Sequence, residues 1–103
     1  MNTTLTFNNQ TAQLKVEGSV VLENINIVDE KLMDVLVSGV TRLELDLAEC
    51  HQISGIGIGK LVSFCNNFKE KNGEVELVQY SKALSALFEI IRMDKVLNIP
   101  CQA

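Results

Sequence analysis

Asp46-Leu47-Ala48-Glu49-Cys50-His51-Gln52-Ile53-Ser54-Gly55-Ile56-Gly57-Ile58-Gly59-Lys60-Leu61 is the stretch that decides the fold. Its first residues finish an alternating run, in which Leu43, Leu45 and Leu47 interleave with Glu44 and Asp46. That period of two is a half-buried strand over 42–47. Its last residues open a different period. Ile58, Leu61, Val62, Cys65 and Phe68 recur at helical spacing, which predicts a helix over 54–71 with one buried stripe. Between them Gly55, Gly57 and Gly59 stand at every second position. Either the corner needs unusual backbone angles, or another backbone or a phosphate must come close. The spacing matches neither GxxxxGK(S/T) nor GxGxxG, which argues against a nucleotide loop.

Upstream, Thr4-Leu5-Thr6-Phe7 alternates and Asn8-Asn9 signals a turn. Over 11–17, Ala12, Leu14 and Val16 face one way and Thr11, Gln13, Lys15 and Glu17 the other. The two runs form an antiparallel hairpin that ends at Gly18. Ile25, Val28, Leu32, Val35 and Leu36 predict a helix over 24–38, with Asn24 as N-cap and Gly39 just past its end. Downstream, Asn72-Gly73 is a turn and 75–80 a strand. Ser81 is placed to cap a third helix over 82–93, with Leu84, Leu87, Phe88 and Ile91 inward. Val96-Leu97-Asn98-Ile99 reads as a short edge strand stopped by Pro100. The order is ββαβαβα, with one further strand possible at the end. Two strand–helix–strand units in series predict a parallel core sheet with right-handed crossovers, and the hairpin adds a mixed edge.

With 103 residues, the expectation is one domain spanning 1–103. A chain of this length buries about two thirds of its unfolded surface, without metal or disulfide. The net charge is −4 and the nine Lys and Arg are scattered, so no basic patch points to nucleic acid. Lys69 and Lys71 read as a solvated helix end. No apolar run is long enough for a membrane span and no leader opens the chain, which predicts a cytoplasmic protein without direct membrane insertion. Cys50, Cys65 and Cys101 lack CxxC spacing and fit reduced thiols, with Cys65 in the core. His51 adjoins Cys50, but neighbours on a strand end point apart, so no nucleophile–base pair is expected. Asp46 and Glu49 lack a His or Lys partner, and no enzyme chemistry is expected.

The strand Leu43-Glu44-Leu45-Asp46-Leu47, its loop, and Ile53-Ser54-Gly55-Ile56-Gly57-Ile58-Gly59-Lys60-Leu61 resemble the signature of the STAS domain family. In that signature a strand ends in Asp-Leu-Ser and a helix opens with Asp-Ser-Ser-Gly-Leu-Gly. The resemblance covers nearly the whole chain. It implies an α/β, STAS-like fold: a mixed, mainly parallel sheet of four to five strands packed against three or more helices. It also implies partner switching. An unphosphorylated antagonist binds an anti-sigma factor, a serine kinase of the histidine-kinase-like ATPase type, and is released when phosphorylated; a phosphatase is a further partner. The kinase supplies ATP and metal, so no cofactor is expected here. The alternative implied by the family is a STAS subunit of an ABC-type lipid transporter that docks on its ATPase.

Two registers are open at the phosphoacceptor. If Gly57-Ile58-Gly59 matches Gly-Leu-Gly, no gap is needed, Ile56 takes the acceptor position and Ser54 is an N-cap. If Ser54-Gly55-Ile56-Gly57 matches Ser-Gly-Leu-Gly, Ser54 is the acceptor, Gln52 replaces the motif's Asp, and the preceding loop is two residues shorter. Shortening a loop that much is cheap. Gly18-Ser19-Val20-Val21 likewise lacks the acid of the family's Gly-Glu-Leu-Asp. Ser54 is the candidate phosphorylation site, preferred to Ser63 deeper in the helix. Gln52, Ile53, Ser54, Gly55, Ile56, Gly57 and Gly59 are the expected partner-binding surface.

Overall fold

Alternation along the strands and a 3.6-residue period along the helices bring one apolar face of a sheet against two helices. The computed structural model describes residues 1–85. Its elements are β1 (Asn2–Asn8), β2 (Thr11–Val20), α1 (Ile25–Ser38), β3 (Arg42–Leu47), β4 (Cys50–Ile53), α2 (Gly55–Glu70) and β5 (Glu74–Tyr80). Residues 82–85 are helical, with Leu84 buried. The expected remainder of that helix to 93 and the strand Val96–Ile99 lie outside the described residues.

The sheet has five strands in the order β1-β2-β3-β5, with β4 beside the end of β2. β1 and β2 form the expected antiparallel hairpin, turned at Asn9 with φ 56°. β2–β3 and β3–β5 are parallel. Their registers align the apolar residues in rows: Ala12, Leu43 and Val75, then Leu14, Leu45 and Leu77. These side chains form one buried cluster with Ile25, Leu32 and Val35 of α1 and with Leu61, Phe64, Cys65 and Phe68 of α2. At about 25 cal/mol per Å² of apolar area removed from water, this cluster is the main stabilising term. On the opposite sheet face the partners are polar. Gln13 Nε2 donates to Glu44 Oε1 at 2.8 Å, and the Arg42 guanidinium meets Glu44, Glu74 and Glu76.

The structure corrects the expected order in one place. The segment after β3 is not only a loop, because 50–53 forms β4, giving ββαββαβ before the last helical stretch. β2 also does not stop at Gly18 but continues to Val20. Gly18 has φ 98° and sits at a register shift between the two parts of the strand; a side chain there would be strained in the left-handed region and would meet the Met1 backbone at 3.2 Å. The helix stripes shift slightly. Phe64, absent from the expected stripe of α2, is buried and stacks on Phe68 with ring centroids 5.2 Å apart. Ile58 and Val62 are only partly buried. Gly39 closes α1 in the left-handed conformation, as expected.

Cys50 and Cys65 are free thiols in the core. Burial pushes the Cys65 thiol up to about 12 from an ordinary 9.0, against the opposing pull of Lys69. Burial also raises Cys50. A folded-state pKa above the unfolded one gives stability that is intact below pH 9 and lost as pH climbs toward 12, because only the unfolded chain releases the proton. Unfolding free energy therefore falls by up to about 1.4 kcal/mol per pH unit for Cys65 in this window. Urea titrations at a series of alkaline pH values will show a shallower decline for Cys65→Ala than for the native chain; equal slopes refute this assignment.

Candidate functional site

The start of α2 is positioned by β4, and β4 is held on both sides by backbone and side-chain hydrogen bonds. β3 ends at Leu47, and the Asp46 carboxylate accepts from Ala48 N–H at 3.0 Å, turning the chain. Gly18 N–H donates to Glu49 C=O at 2.9 Å. β4 then pairs parallel with Gly18–Val20 of β2. From the other side, Ser81 Oγ donates to Cys50 C=O at 2.6 Å and Ser81 N–H to Leu47 C=O at 3.2 Å. The Ser81 hydroxyl therefore serves β4 and does not cap the following helix, a correction to its expected role.

Ser54 follows directly. Its N–H donates to Val20 C=O at 2.8 Å, which extends the β2–β4 ladder by one rung. Its backbone is extended, and its hydroxyl accepts from Gly57 N–H at 3.2 Å. Ser54 is thus the N-cap of α2, satisfying a first-turn donor that has no partner within the helix. Asn24 behaves differently from the expectation. Its side chain makes no cap bond to α1. Instead Oδ1 accepts from Val21 N–H and Nδ2 donates to Ser19 C=O, each at 2.9 Å. These two bonds tie down the β2–α1 connection, and the Oδ1 acceptor used on Val21 is the one a helix cap would have needed.

The three glycines separate into two kinds. None of Gly55, Gly57 and Gly59 has positive φ, so unusual backbone angles do not explain them. At Gly57 a Cβ would lie 2.8 Å from Ile53 Cγ2, 3.1 Å from Val20 Cγ1 and 3.5 Å from Ile25 Cδ1. Close approach of the strand ends beneath the helix is what requires glycine here, and the approaching groups are apolar side chains, not a phosphate. At Gly55 and Gly59 a Cβ meets open space.

The expected surface residues fall as follows. Gly57 is buried, Ile53 and Ser54 are partly buried, and Gln52, Gly55 and Gly59 are exposed. Ile53 packs against the core cluster. Ile56 points away from the core and is 51% exposed. Leu22, which the sequence reading did not single out, is 63% exposed. It lies two residues beyond the Val20 carbonyl that accepts from Ser54. An apolar residue between a strand and a helix start reads as core, and only the fold shows it on the surface. Around the corner, the Lys60 ammonium lies 3.7 Å from the Asp29 carboxylate, an exposed ion pair between α2 and α1 of small energetic weight.

Cys50 and His51 do not form a nucleophile–base pair. Cys50 is buried while His51 is exposed on the alternate face of β4, so the two point apart. Among the described residues no three His, Cys, Asp or Glu side chains come together as metal ligands, and no helix is long and apolar enough to cross a membrane. The corner is a mostly uncharged surface on which Ile56 and Leu22 are exposed.

Two alanine substitutions test the division among the glycines. Gly59→Ala raises stability by about 0.5–1 kcal/mol, the helix-interior difference between the two residues. Gly57→Ala lowers stability, because its methyl group needs space held by Ile53 and Val20. Thermal melts of both variants check this, and a Gly57→Ala melt at or above the native temperature excludes the close-approach explanation.

The family model described as Mlab, STAS domain, matches residues 3–99. No curated protein matches the chain. The fold is similar to that of SpoIIAA, an anti-sigma factor antagonist, in its unphosphorylated form: TM-score 0.81, 12% identity, 98% of this chain and 90% of that one. It is similar to the Bacillus cell fate determinant SpoIIAA in the phosphorylated form, with TM-score 0.76, 12% identity, and 98% and 93% of the two chains covered. It is also similar to an anti-sigma factor antagonist from Mycobacterium paratuberculosis, with TM-score 0.85, 14% identity, and 98% and 86% covered. At such identities the likeness establishes the fold, and the family rests on the matched model, which runs through nearly all of the sequence. The chain belongs to the STAS domain family.

Proposed function

We propose that this chain is a cytoplasmic regulatory module that binds a protein partner through the exposed start of α2, in the manner of an anti-sigma factor antagonist. The partner in this reading is an anti-sigma factor and serine kinase of the histidine-kinase-like ATPase type. The observation that carries it is Ile56, 51% exposed at the first turn of a helix whose cap is built from β4 and β2. A half-exposed isoleucine in a segment whose exposed residues, Gln52, Gly55 and Gly59, are uncharged suits the centre of an interface. Apolar anchors there dominate affinity, and the surrounding neutral groups exclude water. The solved structures of SpoIIAA in unphosphorylated and phosphorylated forms share this fold, which supports a phosphorylation switch as a use of the fold.

Phosphorylation of Ser54 is the regulatory form of this reading. A phosphate there adds roughly −1.5 to −2 charge at a helix N-terminus, where the free N–H groups and the helix dipole favour anions. The same step removes the neutral rim that a partner covers.

A second reading is constitutive docking, as a STAS subunit on a transporter ATPase. It is favoured by the hydroxyl economy of the corner. In the gap-free register Ile56 stands at the family's acceptor position and cannot be phosphorylated, while the Ser54 hydroxyl already accepts from Gly57 N–H.

Ile56→Asp separates folding from binding. A carboxylate in the first helical turn is favoured by the helix dipole by about 0.3–1 kcal/mol, so the variant folds at least as well as the native chain. Its affinity for the partner falls at least about tenfold, equivalent to about 1.4 kcal/mol. If Ile56→Asp captures the same partners at the same level as the native chain, this surface is not the docking site. Incubation with the cognate kinase and ATP, followed by mass spectrometry of the peptide spanning Ser54, decides between the readings. A phosphorylated peptide selects the switch, and an unmodified peptide after full turnover of a control substrate selects constitutive docking.

A further inference from the structure

Among the described residues β1 stands at the end of the sheet. Its inner side is matched to β2 without a break, from Asn2 opposite Glu17 to Asn8 opposite Thr11. No described residue hydrogen bonds to its outer side. Proteins blunt such edges with lysine, proline, a bulge or an inward charge, because a row of unpaired N–H and C=O groups is a template for another strand. β1 carries none of these. Asn2-Thr3-Thr4-Leu5-Thr6-Phe7-Asn8 has no charged residue and no proline, and its register is unbroken. Its threonines, leucine and phenylalanine suit a pleated strand. Phe7 lies on the core-side face, opposite Ala12, yet is 50% exposed. Leu5 on the same face is only partly covered.

We propose that the outer edge of β1 is a self-association surface, at which a second copy of this chain adds its own β1 antiparallel about a two-fold axis centred near Leu5. In that arrangement Leu5 opposes its own copy, Thr3 opposes Phe7 of the second copy, and Thr4 opposes Thr6. Each chain presents the same donors and acceptors, so the two-fold pairing is self-complementary. Thr3, Leu5 and Phe7 share the face of Val16, Leu14 and Ala12, so the contact extends the apolar side of both sheets and covers the exposed ring of Phe7. Charge selects this edge as well. Each chain carries −4, and two copies repel across most of their surfaces, but a strand with no charge of either sign meets its copy without like charges opposed. The edge is the outer side of β1, whereas the proposed partner surface joins the sheet through β4 and β2.

Sedimentation equilibrium over a wide concentration range, with paired variants, tests the proposal. The native chain shifts from one to two chain masses as concentration rises, and added salt strengthens the association by screening the net charge. T4E/T6E places two like-charge pairs across the two-fold and raises the dimer dissociation constant at least about tenfold. T4E/T6K places opposite charges at the same two contacts and restores association to the native level or above. Thr4 and Thr6 are exposed and face Lys15 and Gln13 within the chain, so both variants keep the native monomer fold, as their far-ultraviolet dichroism and melting curves will show. Slower amide exchange in β1 of the native chain at high concentration reports the same contact independently of the variants. A native chain that remains monomeric up to its solubility limit overturns the proposal. So does association that salt weakens, that T4E/T6E leaves intact, or that T4E/T6K does not recover.

Discussion

Much of this structure depends on one strand, β2, pairing with two partners in succession. Thr11–Lys15 ladders with β3, and Gly18–Val20 ladders with β4. The change of partner is possible because Gly18 adopts φ 98° and shifts the register there, a conformation that costs glycine nothing and a side chain a great deal. Without that shift the segment after β3 has no edge to join. β4, Ser54 and the first turn of α2 would then lose the Gly18–Glu49 and Ser54–Val20 bonds that place them. The corner before α2 is therefore an extension of the sheet and not a loop laid over it. The first turn of α2 is thereby tied to the sheet through backbone hydrogen bonds and the Ser54 cap.

The chemistry of the corner follows from what surrounds it. The helix dipole and the open first-turn N–H groups favour an anion, yet the sequence around them is neutral, and the Ser54 hydroxyl satisfies Gly57. Apolar Ile56 and Leu22 face solvent close to this polar rim. It is on this mostly neutral, partly apolar surface, with Ser54 at its border, that the proposed docking rests. Cys50 and Cys65 are raised by desolvation, which suppresses thiolate and makes them packing groups.

Periodicity was sufficient for much of the architecture. Leu43, Leu45 and Leu47 alternate because one face of β3 is buried, and Ile25, Leu32 and Val35 recur because one stripe of α1 is buried. These patterns are local records of a one-sided environment, so a single sequence displays them. The resemblance at Ile53–Leu61 led to the family in the same way, since a glycine-rich helix start after an Asp-Leu strand end is a local pattern. Tertiary structure alone decided the rest. Cys-His-Gln-Ile is too short to show a period, and it is a strand only because β2 offers an edge beside it. Asn24 and Ser81 looked like caps, but a side-chain oxygen bonds to whichever backbone group folding brings nearest, here Val21 N–H for one and, through its proton, Cys50 C=O for the other. Likewise three glycines of equal spacing are equivalent in sequence, and only the approach of Ile53, Val20 and Ile25 makes Gly57 the one that space requires.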